Sequence, residues 1–472
     1  MNFIDYLQEF QRLEQTGNFT ASKIGRGFQA IYGNDRQVLN SQVHRYLELI
    51  NTYKTLYGEE EVILARAPGR VDLMGSHTDY HQGYVLPMAL DKDTVMAAGK
   101  RNDQKVVLHN TGTDFTAQEF VLGQDIPRSE QGCWENYVKA AAQALVRSYG
   151  TERICGMNAV VDGHSPFKVP LAAGLSSSSA LLISVAVALT ELNDMTMEPK
   201  QFACFCGEAE WYVGTRGGFM DHFTSILNRK AHALFLDCRP VNISGEETFL
   251  TEDIPLPEGY DVAICNTNVK KEKSASSEYN TRVLETKIGL ELLKSHFPEA
   301  QYLRDILANV PLQKFLPEKA SVNELQKLLN QQKYEELFQD GKFSYADELT
   351  ILPRCRHVIA ENARVLEGCE LLKAGAMNAF GALMTESYVS IRDDFGASCP
   401  ELDLMIKSAL RFPGTLGARI AGAGWGGCAV AIVEASASSA FQTQIAKEYY
   451  QNTGIHAGIF LCQPGQGAGV LS

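Results

Sequence analysis

Gly174-Leu175-Ser176-Ser177-Ser178-Ser179-Ala180 runs without a break into Leu181-Leu182-Ile183, so a turn of small hydroxyl residues feeds straight into an apolar helix. Serines favour helix N-caps, and the unpaired N–H groups of a first turn, together with the helix dipole, attract an anion. Small side chains let phosphate oxygens reach the backbone, and hydroxyls add hydrogen bonds or ligate Mg²⁺. Four consecutive serines exceed what capping needs, so the segment reads as a phosphate cradle, the alternative being a well-capped buried helix. No G-x-x-x-x-G-K-[ST] occurs in the chain, which excludes a conventional P-loop. The apolar run at 180–189, with Ser184 inside it, is about half of what a bilayer-spanning helix requires.

A chain of 472 residues has room for two or three domains that bury their own cores. Hydrophobic residues make up 45% and charged residues 21%, with 39 glycines and 16 prolines, which argues against disordered, collagen-like and coiled-coil classes. The formal charge of −13 repels a phosphate backbone and an anionic membrane. The densest basic cluster, Lys270-Lys271-Glu272-Lys273, is too short to form a local patch, so neither nucleic acid nor membrane is expected as a partner. Asp5, Glu9 and Glu14 interrupt any N-terminal apolar stretch, which argues against a signal peptide and for the cytoplasm. The 11 cysteines form no C-x-x-C pair, as expected of reduced thiols, and Cys204 and Cys206 read as packing residues.

Residues 2–57 have a helical pattern broken at Gly33-Asn34-Asp35 and read as an appended or capping segment. Beyond residue 58, strand-like runs at 62–64, 95–96 and 106–108 alternate with helical stretches at 135–148, 178–192 and 199–212, a mixed α/β texture. A second half opens with a strand at 262–265, is mostly helical through 282–297, 321–338 and 357–372, and closes with strands at 429–433 and 458–461. The expected division is 1–57 as an N-terminal helical extension, then lobes at 58–255 and 256–472.

Three further segments carry chemistry. Ala67-Pro68-Gly69-Arg70-Val71-Asp72-Leu73-Met74-Gly75-Ser76-His77-Thr78-Asp79-Tyr80 places a guanidinium, an imidazole and a carboxylate within ten residues on an expected loop; its plain reading is a solvated turn. Gly422-Ala423-Gly424-Trp425-Gly426-Gly427 satisfies G-x-G-x-x-G, but 428–433 reads as a strand rather than the helix a dinucleotide site needs. It is expected to be a glycine turn where backbone approaches another element or a ligand. Gly217-Gly218-Phe219-Met220-Asp221-His222 sets one acid just after a flexible turn, and taken alone Asp221 reads as a cap or turn residue.

In this order the segments resemble the galactokinase branch of the GHMP kinases, a family of small-molecule kinases. The likeness runs over 65–433 and extends to Ala233-Leu234-Phe235-Leu236-Asp237-Cys238-Arg239, Asn266-Thr267-Asn268-Val269, Ser276-Ser277-Glu278-Tyr279, Arg392-Asp393-Asp394-Phe395 and Ser398-Cys399-Pro400-Glu401-Leu402-Asp403. It implies an α+β, two-lobed fold with an N-terminal mixed-sheet lobe, a C-terminal helix-rich α/β lobe and the active site between them. It also implies a cytoplasmic sugar-1-kinase, a monomer or weak homodimer, that uses ATP with Mg²⁺ to phosphorylate the anomeric hydroxyl of galactose or a close relative. By this resemblance Asp221 is the catalytic base, and Arg70 holds the same hydroxyl or offsets charge during transfer. Gly174, Leu175, Ser176, Ser177 and Ser178 match the nucleotide loop, and Ser177 and Glu210 match the Mg²⁺ ligands. His77, Asp79, Gly218 and Tyr279 match sugar-binding positions, with Gly422, Gly424 and Gly426 supporting the sites.

Departures from the family pattern bear on the substrate. Galactokinases carry a Glu before the His of the first motif, where it grips the sugar near C6; here the residue is Ser76. Arg216, two residues before Gly218 where the family is usually neutral, is of a type that clamps carboxylates. Together they raise galacturonate or L-arabinose as alternative substrates; in the plain reading Ser76 meets C6 through water and Arg216 faces solvent. His222 stands where the family has Gln, and Ser179 where it has Ala. The stretch from Glu210 to Asp221 is one residue shorter than usual, which turns a helical position by about 100°. A non-catalytic galactose sensor is the rival class, since galactokinase-like inducers have a damaged serine loop; here that loop, Arg70 and Asp221 are all present. An acyclic substrate such as mevalonate is disfavoured by His77, Asp79 and Tyr279.

Overall fold

The computed structural model describes residues 3–58, 61–112, 115–130, 132–163, 166–170, 174–214, 218–243, 246–269, 274–339, 343–344 and 347–471. Arg216, the basic cluster at 270–273 and residues 171–173 lie outside them. The chain divides into two compact units, residues 1–71 with 87–234 and 462–472, and residues 72–86 with 235–461. This division differs from the expected one at 57/58 and 255/256, for two physical reasons within the first unit. The N-terminal helices share their core with the sheet, and the C-terminal strand Gly469–Val470 pairs antiparallel with the strand Ile63–Met74.

The first unit is built on a mixed sheet. Its strands run in the order Gly469–Val470, Ile63–Met74, Tyr84–Lys100, Met157–Val161, Lys105–Asn110 and Gln118–Val121, with Lys105–Asn110 parallel to Met157–Val161. Strand side chains alternate between faces. The face bearing Leu64, Val95, Ala97 and Val160 is covered by the helices Phe3–Thr16, Lys23–Tyr32 and Arg36–Tyr57, which bury Phe10, Phe28 and Tyr46 in mutual ring contact. The N-terminal segment is therefore half of a core rather than an appendage. The helices Glu135–Tyr149, Ser177–Leu192, Pro199–Glu210 and Met220–Leu227 pack on one another as a second layer.

In the second unit a four-stranded sheet, ordered Thr415–Ala421, Cys428–Glu434, Tyr260–Asn266 and Gly458–Cys462, carries the helices Ser274–Lys294, Leu352–Lys373, Met377–Ser390, Pro400–Arg411 and Ser438–Thr453. Met377–Ser390 lies so close to the first of these strands that a Cβ on Gly417 would sit 2.0 Å from the Gly381 carbonyl oxygen, so glycine is required there. The turn at 422–427 links two antiparallel strands, with Ala421 opposite Cys428, as the following strand-like run predicts. Gly422, Gly424, Trp425, Gly426 and Gly427 all have positive φ, and a Cβ on Gly424 would lie 1.9 Å from the Ala397 oxygen. Among the described residues no helix is long and apolar enough to cross a membrane.

Two local expectations need correction. Residues 67–74 are not loop but the second half of the strand Ile63–Met74. Charged residues break the apolar pattern of this strand, yet each is paired in the fold: Arg66 with Asp93, Arg70 with Asp221, and Asp72 with Ser76. The stretch 321–338 is two short helices, Val322–Leu328 and Gln331–Leu337, because Asn330 caps the second by accepting from the Lys333 amide at 2.9 Å.

Candidate active site

In the first unit, strand and serine turn are brought together by backbone. Gly69 has no room for a side chain, since its Cβ would lie 2.8 Å from the Leu175 oxygen, and the Arg70 amide donates to that same oxygen at 3.2 Å. Arg70 then reaches along the turn. Its Nη1 donates to the Gly174 carbonyl at 2.7 Å, while Nε and Nη2 both approach Asp221 Oδ1 at 2.6 Å. Asp221 lies in the first turn of the helix Met220–Leu227.

Serines favour N-caps, yet Ser176 does not cap the apolar helix with its side chain. It sits at the cap position with φ +54, makes no side-chain capping bond, and donates its hydroxyl to Asp221 Oδ2. A non-glycine residue in the left-handed region is strained, and here the strain aims a hydroxyl at a carboxylate. Burial of Asp221 works against its charge, but Arg70, the Ser176 hydroxyl and His222 override it and hold the carboxyl below the usual range. Asp221 is thus an ionised acid at neutral pH with about a quarter of its side chain exposed.

The two departures noted at 179 and 222 meet at one residue. Ser179 Oγ donates to Glu210 Oε2 at 2.9 Å, and His222 Nε2 approaches the same oxygen at 2.7 Å. Neither sequence position pointed to the other, and their common partner lies on the helix Pro199–Glu210. Ser177 and Ser178 line a cavity of about 180 Å³ together with Trp134, Tyr137, Asp162 and Lys168. Gly218, just before Asp221, is partly buried in the same unit.

In the second unit, Ser76 is sequestered. Its hydroxyl donates to Asp72 Oδ2 at 2.7 Å and accepts from Arg419 Nη2 at 2.5 Å. Arg419 has no exposed surface and also faces Glu361, 3.4 Å away, and Asp72, 3.7 Å away. Although burial opposes it, Arg364, Arg419 and His357 hold the Glu361 carboxyl well below the usual range. Sequence reading missed Arg419 and Glu361; the only signal was a lone arginine inside the apolar run Leu416-Gly417-Ala418-Arg419-Ile420-Ala421.

His77 uses both ring nitrogens within the unit, Nδ1 toward the Tyr80 hydroxyl at 2.9 Å and Nε2 toward the Ala423 carbonyl at 3.1 Å. Its ring also lies against Phe395, with centroids 4.4 Å apart. His77 therefore ties the first motif to the glycine turn at 422–427. Asp79 and Tyr279 are partly buried beside it: burial and then the Asp79 charge push the Tyr279 phenol up, and the Tyr279 ring lies 5.3 Å from that of Tyr80.

Buried imidazoles give this unit an acid-sensitive term. Burial drives His357 down to about 4 and His81 down to about 3. Both stay neutral in the fold while the unfolded chain takes up protons below about pH 6.5. Their contribution to stability is complete above that pH and is lost as the pH falls toward 4. The Tm difference between wild type and His357→Gln is expected to shrink from pH 7 to pH 5; a difference independent of pH refutes this.

Residues 51–100 match the family model described as the galactokinase galactose-binding signature, 136–229 the GHMP kinases N terminal domain, and 370–451 the GHMP kinases C terminal model. The structure of Lactococcus lactis galactokinase complexed with galactose aligns with a TM-score of 0.72 at 28% identity, covering 89% of this chain and 97% of that one. Methanococcus jannaschii mevalonate kinase aligns with a TM-score of 0.57 at 15% identity over 85% of this chain and 98% of that one, a likeness of fold alone. The fold is that of the GHMP kinases. A galactokinase of Roseiflexus sp. (strain RS-1) is 32% identical over 425 residues, 89% of this chain and 96% of that protein. The chain belongs to the galactokinase family.

Proposed function

We propose that this chain transfers the γ-phosphoryl group of ATP to the anomeric hydroxyl of galactose, giving galactose 1-phosphate and ADP. The observation that carries this is the Asp221 carboxylate, held ionised by Arg70 and hydrogen-bonded by the first serine of the turn. In the proposed step the sugar oxygen attacks the γ-phosphorus, its proton passes to Asp221, and the bond to the β-phosphate oxygen breaks. Arg70 keeps Asp221 deprotonated and presents positive charge where the transferred group passes. The amides of Ser176, Ser177 and Ser178 at the start of the helix are assigned to the phosphates, and the adjoining cavity to the rest of the nucleotide. His77, Asp79, Gly218 and Tyr279 are assigned to the sugar by the family resemblance.

The oxygen donors Ser177 and Glu210 suit Mg²⁺, which takes few protein ligands beside substrate phosphates. Glu210 is oriented for this by Ser179, which donates to one of its two oxygens, with His222 Nε2 lying 2.7 Å from the same oxygen. Bound there, Mg²⁺ would neutralise phosphate charge.

A uronic acid fits poorly at Ser76, because Arg419, whose guanidinium donates to the Ser76 hydroxyl, already faces Asp72 and Glu361. ADP release measured on purified protein with galactose, galacturonate and L-arabinose is expected to favour galactose by about 100-fold or more in kcat/KM. Galacturonate preferred, or background turnover with every sugar while ATP and galactose still bind, overturns the reading; the latter result would make the protein a sensor.

A further inference from the structure

Arg45 lies on the helix Arg36–Tyr57, ahead of the segments at 65–433 that carry the family resemblance, and is 5% exposed. Its Nη1 donates to Asp93 Oδ1 at 2.7 Å, its Nη2 to the Asp93 carbonyl at 3.0 Å, and its Nε to Asp162 Oδ2. Asp93 is also held by Arg66 Nε at 2.7 Å and by the Tyr32 hydroxyl at 2.8 Å, and Arg66 spends its Nη1 on the carbonyls of Gln466 and Gly467. The cluster thus sets two guanidinium groups against two carboxylates, and Arg45 is the one that bridges both acids.

Asp162 matters because of where it stands. It follows the strand Met157–Val161 and forms part of the wall of the 180 Å³ cavity that Ser177 and Ser178 also line. A nucleoside triphosphate whose base and ribose fill that cavity, with its phosphates on the serine turn at the cavity's edge, brings negative charge toward a carboxylate in a partly desolvated site, where like charges repel more strongly than in water. Arg45 reaches Asp162 from the helix layer on the sheet and cancels that charge.

We propose that Arg45 is a positioning residue for the nucleotide: by neutralising and fixing Asp162 on the cavity wall, the N-terminal helices complete the nucleotide pocket. This rests on the assignment of the serine turn and cavity to ATP. Lysine at position 45 keeps a cation beside Asp93, but its single ammonium cannot bridge two carboxylates as the planar fork of arginine does. Arg45→Lys is expected to raise the Kd and KM for ATP by about tenfold while the KM for galactose stays within about twofold. Adding Asp162→Asn to that variant is expected to return the ATP Kd to near wild type. Asp162→Asn alone, which leaves the arginine network at Asp93 in place, is expected to tighten ATP by about twofold, and it provides the measurement if Arg45→Lys does not yield folded protein.

A merely structural role for Arg45 would lower Tm, shift both KM values together and show no recovery in the double variant; that pattern overturns the proposal, as does weaker ATP binding by Asp162→Asn. Calorimetric titration separates the two levels of inference. Wild type that binds no ATP sinks the nucleotide assignment itself, whereas wild type that binds ATP as Arg45→Lys does sinks only the role of Arg45.

Discussion

Asp221→Asn is expected to lower kcat by about 10²–10⁴-fold while ATP and galactose still bind. The change is nearly isosteric, so the hydrogen bond from Ser176 and the contact with Arg70 can persist in altered form. What disappears is the oxygen able to take the proton. Asp221 is held below the usual carboxylate range, so it is charged throughout the neutral region and its stabilising pairing is lost only as the pH falls below about 4. An acid limb in kcat/KM assigned to this group should therefore lie below pH 5. Phosphoryl transfer by Asp221→Asn within tenfold of wild type would mean that the acid only orients the sugar. Steady-state rates paired with calorimetric binding separate the cases, because a misfolded variant loses binding as well as turnover.

The largest expected loss of stability comes from Asp93→Ala. Asp93 has no exposed surface and accepts from Arg45, Arg66 and Tyr32. Removing it leaves two buried guanidinium groups with one fewer counter-charge, which costs about 3–5 kcal/mol against a total stability of roughly 5–15 kcal/mol. Tm is expected to fall by about 10 °C or more, with insoluble protein at 37 °C. Burial pushes the Asp93 carboxyl up, but Arg45 and Arg66 prevail and hold it below its ordinary value, so its contribution is present above about pH 4 and lost on acidification. A Tm within about 2 °C of wild type would show that the cluster is energetically neutral, as some buried ion networks are.

The site was partly legible before any coordinates. The serine turn leading into an apolar helix reads as the place we propose for phosphate, and the strand-like run after Gly427 argues against a dinucleotide fold; both follow from chemistry within about ten residues. The strand Ile63–Met74 was legible only in its first half, since its charged residues break the apolar pattern and their partners lie far off: Arg70 meets Asp221 across 151 positions. Ser76 was read as a sugar contact, but its environment is set by Arg419, 343 residues away. Ser179 and His222 appeared as separate departures until Glu210 joined them.

By itself, then, the sequence determined the local devices of this protein: where helices begin, which turns need glycine, and to which family the motif order points. Only the tertiary structure decided what each polar side chain is for. It made Ser176 a donor to Asp221, His77 a tie to the glycine turn, and the N-terminal helices half of a core. The reason is that propensity and periodicity act between near neighbours along the chain. A buried charge or hydroxyl takes its meaning from the partner that relieves its desolvation, and folding alone selects that partner.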